Sequence, residues 1–229
     1  FKQKTAYEIP KRDWSSDVCS SDLAAGNTLV VKPSEYTSAS ALAFAKLVEQ
    51  AGFPPGVFNV VTGFGPEVGE PLAMHPKVAK VAFTGGEMGG RSVYRAAASQ
   101  LKPVVLELGG KSPNIVFDDC AIEDAVKGAV SGIFAASGQT CIAGSRLLVQ
   151  DSIHQEFLER LVAFASSAQL GDPKLATTQV GPITTRPQHK KVLDYIDIGK
   201  GEGASLVLGG RSEEHTSELQ SRFGISYAV

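Results

Sequence analysis

One cysteine in this sequence has a setting that suits nucleophilic chemistry. Cys141 ends the run FAASGQTC, in which small residues follow a helical pattern and deliver a single thiol. A cysteine thiolate in such a place can act as a nucleophile. The alternative is an ordinary buried thiol that packs as a small apolar side chain. The run around Cys141 alone does not distinguish a catalytic nucleophile from a buried cysteine that only packs.

A carboxylate 34 residues before the cysteine favours the chemical interpretation. Glu107 lies in the run LELGGKSP, where it interrupts a strand-like apolar pattern just before two glycines. Strand ends of this kind are where α/β sheets present functional side chains. Burial makes a carboxylate more basic, which suits a general base. Together, Glu107 and Cys141 predict a site that combines a base with a nucleophile.

Alternating strands and helices must position this pair. Continuous β-branched or apolar runs predict strands at 28–32, 57–61, 78–83, 104–108, 114–117, 147–150 and 204–208. Helical spacing predicts helices at 38–51, 67–75, 87–100, 121–137, 153–168 and 188–201. This alternation is typical of a parallel α/β sheet that binds a dinucleotide.

Two of the predicted helices have a clear inward face. For the helix at 121–137, the inward residues are Ile122, Ala125, Val126, Ala129, Val130 and Ile133. For the helix at 153–168, they are Phe157, Leu158, Leu161, Val162 and Phe164. Apolar residues at this spacing form one stripe on a helix that packs on a core.

Two glycine-rich turns point to a phosphate-containing ligand. Gly63, Gly65 and Gly69 form G-x-G-x-x-x-G, one residue longer than the usual dinucleotide motif. A second run, GGEMGGRS, differs by one residue from the Walker loop of nucleoside triphosphatases. Arg91 stands where that loop has a lysine, and a planar guanidinium does not replace a compact ammonium. The triphosphatase is therefore the weaker alternative.

Composition and charge exclude several classes of function. The formal net charge is −2, which leaves no electrostatic footprint for nucleic acid or an anionic membrane. No apolar run approaches the roughly 20 residues that span a bilayer. Cys120 and Cys141 lie on different elements and predict no disulfide framework, so a reducing compartment, by default the cytoplasm, is expected.

The remaining polar clusters predict no metal site. The acidic residues at 118, 119, 123 and 124 surround a predicted helix start and have no histidine nearby. Their alternative role as metal ligands is therefore disfavoured. The histidines His75, His154 and His189 have no ligand spacing, and we expect each at the surface or in a loop.

The segments around Cys141 and Glu107, with their spacing, resemble the aldehyde dehydrogenase superfamily, and the resemblance covers residues 24–210. It implies oxidation of an aldehyde to a carboxylic acid through a cysteine thiohemiacetal and a thioester, with NAD (or NADP) as the hydride acceptor. By this resemblance Cys141 is the nucleophile and Glu107 activates the water that hydrolyses the thioester. The expected binding partner is a small-molecule aldehyde, and the protein is expected to form a homo-oligomer.

The fold that this resemblance implies is α/β. It consists of a variant Rossmann-type dinucleotide-binding domain over residues 24–108 and an α/β catalytic domain over residues 109–210, both incomplete. Two alternatives on the same fold stay open: a CoA-acylating aldehyde dehydrogenase, and a non-catalytic binding or structural protein. A CoA-acylating enzyme needs no base for water, so Glu107 counts against it.

The resemblance also implies a set of cofactor-binding residues. They are Lys32, Ser34, Glu35, Gly65, Gly69, Phe83, Thr84, Gly85, Gly86 and Leu108. In the family the match to Glu35 contacts the adenosine ribose, and a carboxylate there accepts ribose hydroxyls but repels a 2′-phosphate, which favours NAD over NADP. Gly86 stands where the family has a serine, so one hydroxyl contact to the pyrophosphate is missing.

The two ends of the chain break from the pattern of its middle. Residues 2–9, 13–23 and 211–221 resemble in-frame translations of a sequencing-library adapter, and residues 225–229 resemble the same adapter read on the opposite strand. The codons of residues 10–12 and 222–224 allow two reverse-complementary index sequences. We therefore expect residues 1–23 and 211–229 to be artefacts around an internal piece of a longer gene. The chain as written is then expected to be inactive.

Overall fold

A computed structural model describes residues 20–213, 220–221 and 225–227. The predictions for residues 2–9 and 10–12 lie outside the described residues, as do parts of those for 13–23 and 211–229. The chain forms two compact units, of which the first ends at Leu108 and the second begins at Gly109. The sequence predicts a domain boundary at the same place.

The first unit contains two pairs of parallel strands. Strand β1 (Leu29–Val31) pairs with β2 (Phe58–Val60), and β3 (Val81–Thr84) pairs with β4 (Val104–Glu107). Helix α1 (Ser38–Gln50) connects the first pair. Helix α2 (Glu70–Met74) follows β2, and α3 (Glu87–Ala98) connects the second pair. Parallel neighbours require such crossover connections, so the predicted strand–helix alternation is confirmed here.

The second unit begins with the same motif. Strand β5 (Pro113–Val116) pairs in parallel with β6 (Arg146–Val149), and α4 (Ile122–Phe134) connects them. Helices α5 (His154–Ser166) and α6 (Arg186–Gly201) follow.

Two antiparallel pairs complete the described part of the second unit. Strand β7 (Ser205–Leu208) pairs with β10 (Ile225–Tyr227), and β8 (Ser212–Glu213) pairs with β9 (Gln220–Ser221). Three of these four strands consist of residues from the adapter-like segments. This strand pairing does not test where those residues come from, so their origin in an adapter stays a prediction.

The core of the second unit lies between its parallel strands and helices α4 and α5. Its buried side chains are Val116, Val126, Ala129, Phe157 and Leu161. The predicted inward face of α4 is confirmed, since Val126 and Ala129 are buried and its other members are partly buried. On α5 one prediction is wrong: Phe164 is 42% exposed, and Ala165 is buried instead. Phe157, Leu161 and Ala165 recur every four residues, and Phe164 lies about 60° around the helix from Leu161, the middle of this row, and about 100° from Ala165.

Several element boundaries differ from the predicted ones. The helix predicted at 67–75 is a π-helical turn at Gly65–Gly69 that continues into α2. Strand β3 begins at Val81 because Val78 still belongs to a turn, in which its N–H donates to the His75 carbonyl at 2.9 Å. Helix α6 begins earlier than predicted, because Pro187 suits a first turn and the Thr185 hydroxyl caps the helix.

Candidate active site

The carboxyl ends of β3 and β4 form the first part of the site. Thr84 pairs with Glu107 in the ladder, and the N–H of Gly85 donates to the Glu107 carbonyl at 3.0 Å. These contacts fix the backbone of Glu107 at the last position of its strand. Its side chain is half-buried, so the carboxylate has less solvent around it than a surface residue.

The turn after β3 brings side chains against glycines. A Cβ on Gly85 or Gly89 would lie 2.7 or 2.8 Å from Phe83 Cζ, and a Cβ on Gly90 would lie 2.7 Å from Leu108 Cδ2. Phe83 and Leu108 can therefore pack on the first turns of α3 only because these positions lack side chains. Four of the predicted cofactor residues, Phe83, Gly85, Gly86 and Leu108, meet at this helix start.

The start of α3 suits an anion. The helix has twelve residues, and Gly86 precedes it in an extended conformation with no side-chain cap. The first amides of a helix have no partner within the helix, and its dipole favours negative charge there. A phosphate group is the natural ligand of such a turn.

Arg91, the residue that replaces the Walker lysine, is engaged along the helix. Its Nη2 and Nε atoms donate to Glu87 Oε1 at 2.6 and 2.9 Å. Both side chains are largely exposed. The guanidinium is thus paired with a carboxylate one turn away, which further disfavours the triphosphatase alternative.

Lys32 connects the ends of β1 and β2. Its Nζ donates to the carbonyls of Pro33 at 2.7 Å and Gly63 at 3.0 Å. A Cβ on Gly69 would lie 3.5 Å from the Lys32 chain, so Gly69 also faces this lysine. An ammonium has three donors, and within the described residues two of them are used, which leaves one for a ligand.

The other residues of this turn are open. Ser34 and Glu35 are exposed between β1 and α1, and a Cβ on Gly65 would meet nothing within 4 Å. The Ser34 carbonyl accepts a hydrogen bond from Ser38 Oγ at 3.1 Å. The structure therefore brings Lys32 close to Gly63 and Gly69. It leaves Ser34 and Glu35, which follow soon after Lys32 in the chain, exposed to solvent.

Gly63 should be required by this turn. Its φ of +147° disfavours side chains, and a Cβ there would overlap Val68 Cγ2. We expect Gly63→Ala to lower the free energy of unfolding by about 1–3 kcal/mol, measured by urea titration. Gly128→Ala on α4 is the control, because a Cβ there meets open space and helix propensity should make the change neutral or stabilising. Equal unfolding free energies for the two variants would contradict this prediction.

The residues before Cys141 form a left-handed turn. Helix α4 ends at Phe134, and a 3₁₀ turn follows at Ala135–Gly138. Within it Ala136, Ser137 and Gly138 have φ values of 51°, 56° and 73°. A left-handed conformation costs a residue with a side chain about 1–2 kcal/mol. The predicted extension of the helix to residue 137 is therefore wrong, because these residues leave the right-handed region.

Cys141 is an exposed, free thiol. The alternative of a buried packing cysteine is therefore wrong for this residue. Its loop is fixed on the downstream side, where Ala143 is buried and the Gly144 N–H donates to the Gly132 carbonyl at 3.2 Å. Gly110 lies against it, since a Cβ there would be 3.2 Å from the Cys141 carbonyl oxygen.

Two contacts of this loop have no signal in the sequence. Ser137 Oγ donates to the Gly181 carbonyl at 3.0 Å. Gln139 Oε1 accepts from the N–H of Thr184 at 3.2 Å and from its hydroxyl at 3.4 Å. The partners are 44 and 45 residues apart in the chain, so no local pattern indicates them. The predicted partnership of Glu107 with Cys141 stays a prediction.

One histidine differs from the prediction. His189 on α6 is only 8% exposed, and its Nε2 lies 3.1 Å from Ser212 Oγ. A buried imidazole needs a hydrogen-bond partner, and this hydroxyl provides one. The expectation of a surface or loop position is therefore wrong for His189. His75 is exposed after α2, and His154 is half-buried at the start of α5.

Two of the four acidic residues around the start of α4, Asp118 and Glu123, have protein partners. Asp118 Oδ2 accepts from Gln150 Nε2 at 2.7 Å and from Ser152 Oγ at 3.1 Å. Arg160 on α5 pairs with Glu123 and with Glu156, and the hydrogen bonds that its guanidinium donates to Glu156 are the main cause that raises the pKa of Arg160. Within the described residues no group of three or more His, Cys, Asp or Glu side chains could hold a metal ion.

None of the helices in the described ranges is both long enough and apolar enough to cross a membrane.

Comparison with known proteins identifies the family. The model of the aldehyde dehydrogenase family matches residues 15–223. The range extends into the adapter-like segments, whose origin stays a prediction. Hydroxyisobutyraldehyde dehydrogenase of Mycolicibacterium austroafricanum is 50% identical over 189 residues, which are 82% of this chain and 38% of that protein.

Solved structures agree with the sequence relatives. Betaine aldehyde dehydrogenase of Staphylococcus aureus in complex with NAD⁺ superposes with a TM-score of 0.86 at 38% identity, covering 89% of this chain and 41% of that one. An NADP-dependent enzyme of Escherichia coli gives a TM-score of 0.87 at 40% identity, covering 91% and 43%. The chain thus spans about two fifths of the length of these proteins, and its Rossmann-like α/β fold is theirs. It belongs to the aldehyde dehydrogenase family.

Proposed function

We propose that the full-length gene product that carries this sequence oxidises an aldehyde to a carboxylic acid with NAD as the hydride acceptor. The observation that carries the proposal is an exposed cysteine on a constrained loop in a chain of this family. The relative from Staphylococcus aureus was crystallised with NAD⁺, which supports the choice of cofactor. In this proposal the first unit binds the cofactor and the second carries the nucleophile.

Cys141 begins the chemistry. Its thiolate adds to the aldehyde carbon and forms a thiohemiacetal, and the developing oxyanion accepts a hydrogen bond from the Cys141 backbone N–H. When bound, NAD supplies the acceptor for the hydride that leaves this carbon. Cys141 then holds the acyl group as a thioester.

Glu107 completes the cycle. Its carboxylate removes a proton from water as the water attacks the thioester carbon, the carbon–sulfur bond breaks, and the carboxylic acid leaves. The thiolate of Cys141 is thereby restored. The half-buried position of Glu107 at a strand end fixed by backbone hydrogen bonds supports this role, because a general base has to be held within reach of the water that it deprotonates.

The glycine turns of the first unit fit a dinucleotide. Thr84, Gly85 and Gly86 lead into the uncapped start of α3, which would hold the pyrophosphate. On the other turn, Lys32 has one ammonium proton left for a ribose oxygen, and the exposed Glu35 lies three residues further on. Ser34, Gly65, Gly69, Phe83 and Leu108 would form the walls of these two subsites.

Glu35 should make the enzyme prefer NAD over NADP. We expect Glu35→Gln to narrow the ratio of the two kcat/KM values about twofold to fivefold, because an exposed charge repels the 2′-phosphate only weakly through water. The measurement is initial-rate kinetics with both cofactors at low and high salt, since screening should shrink the effect. Glu49→Gln on α1 is the matched control and should leave the ratio unchanged. A wild-type enzyme that uses both cofactors equally well would disprove this prediction.

Both thiols of the described residues, Cys120 and Cys141, are free, which supports a reducing compartment such as the cytoplasm.

The function itself is tested by NADH formation with a panel of aldehydes. The same assay with and without CoA, followed by product analysis, separates hydrolysis from acyl transfer. Failure to form NADH or to label Cys141 with an acyl group would leave the non-catalytic alternative.

A further inference from the structure

The loop that carries Cys141 lies outside the α-helices and β-strands. It connects α4 to β6, and its first turn is left-handed at Ala136, Ser137 and Gly138. Residues with side chains keep such conformations only where surrounding contacts hold them. The contacts that hold this turn therefore decide where the thiol lies.

Two side chains of the loop bind one distant segment. The Ser137 hydroxyl donates to the Gly181 carbonyl at 3.0 Å in a partly buried position. The Gln139 amide oxygen accepts from both the N–H and the hydroxyl of Thr184. The loop is thus tied at two points to the residues just before α6.

This segment is itself well anchored. Between its two contact residues lies Ile183, which is only 8% exposed. Thr185, which follows Thr184, caps α6 by accepting from the Gln188 N–H at 3.4 Å. On the other side of the thiol, Ala143 is buried. Cys141 therefore lies two residues from a tied position, Gln139, and two from a buried one.

We infer that Ser137 and Gln139 are positioning residues, which direct the Cys141 thiol by tying its loop to the segment Gly181–Thr184. The importance of a directed thiol for catalysis rests on the proposed function. The coupling of the Cys141 loop to the segment Gly181–Thr184 does not depend on the proposed function. Neither side chain needs to touch the substrate.

The experiment compares three variants with two matched controls in the 229-residue chain. Ser137→Ala and Gln139→Met each remove one tie at similar side-chain size, and Gln139→Glu keeps an oxygen that can accept from Thr184. Ser131→Ala is the control for Ser137→Ala, since within the described residues Ser131 donates only to the Gly128 carbonyl of its own helix. Gln155→Met on α5 is the control for Gln139→Met, since the side chain of Gln155 donates to Glu159 on its own helix and to no other residue that the structure describes.

Two measurements report on the loop without requiring activity. One is amide hydrogen exchange over residues 139–143. The other is the rate at which iodoacetamide alkylates Cys141, with Cys120 in the same sample as the reference. Alkylation is followed as a pH profile, because the charge added by Gln139→Glu moves the profile along the pH axis, whereas a freed loop changes its plateau.

Loss of either tie should free the loop. We expect exchange over residues 139–143 to rise roughly threefold to tenfold in Ser137→Ala and in Gln139→Met, and the plateau of Cys141 alkylation to change by a similar factor. Gln139→Glu should retain the wild-type exchange and plateau, and Cys120 and both controls should not change. In the full-length gene product, kcat should fall in Gln139→Met, recover in Gln139→Glu, and leave the KM for NAD unchanged.

Wild-type exchange and alkylation in both Ser137→Ala and Gln139→Met would overturn the inference, as would equal behaviour of Gln139→Glu and Gln139→Met. If Ser137→Ala does not fold, the two Gln139 variants decide, since that side chain is exposed. A loop that is freed in a protein without aldehyde oxidation would refute the proposed function alone. Loss of activity in Cys141→Ala together with silent loop variants would refute the inference alone.

Discussion

Replacing Cys141 by alanine should abolish aldehyde oxidation in the full-length gene product. Without a thiolate the carbonyl carbon cannot become a thiohemiacetal, and no hydride leaves an untransformed aldehyde. We expect kcat to fall by about 10⁴-fold or more, the scale that removal of a covalent nucleophile has in other enzymes. Initial rates of NADH formation, together with mass spectrometry of acyl-enzyme trapped by acid quench, measure the loss.

The matched control is Cys120→Ala. Cys120 is a free thiol too, but it is partly buried against the core of the second unit. Its removal should cost some stability and leave the rate of NADH formation per folded molecule unchanged. NAD binding, followed by fluorescence or calorimetry, should be normal in both variants. Substantial aldehyde oxidation by Cys141→Ala would show that another residue is the nucleophile.

Local patterns predicted most elements of the fold. Helix α4 and the strands around it repeat apolar residues at the helical or strand period, and these residues are the ones that pack. The glycine runs also correctly indicated tight turns, since Gly63, Gly85 and Gly90 each lie where a Cβ would collide with a neighbour. Both signals depend on residues close together in the chain, which is why they could be used without a structure.

The environment of the predicted nucleophile could not be found in this way. Ala136 and Ser137 are ordinary residues in a left-handed turn, and their types contain no indication of it. The ties of Ser137 and Gln139 to the segment before α6 are single hydrogen bonds across 44 and 45 residues, which produce no periodicity. His189 was missed for a similar reason, because its hydrogen-bond partner, the Ser212 hydroxyl, is 23 residues away. Long-range polar contacts become visible only when the fold has brought both partners together.

Replacing Glu107 by glutamine should separate the two halves of the reaction. Glutamine has the same shape, and the contact from the Gly85 N–H to the carbonyl of residue 107 involves only the backbone, so the strand end should persist. Acylation of Cys141 needs no base for water and should proceed. Hydrolysis of the thioester should slow by about 10²–10⁴-fold, the usual contribution of a general base.

Rapid mixing should therefore show a burst of NADH equal to the amount of enzyme, followed by a slow steady rate. Hydroxylamine should restore turnover, because this nucleophile attacks a thioester without help from a carboxylate. Glu49→Gln, an exposed carboxylate of the same unit, should behave as the wild type and so controls for the change of charge. A variant at Glu107 that turns over at the wild-type rate without a burst would contradict the assignment of the base. One that regains full speed with CoA would instead mark an acyl-transferring enzyme.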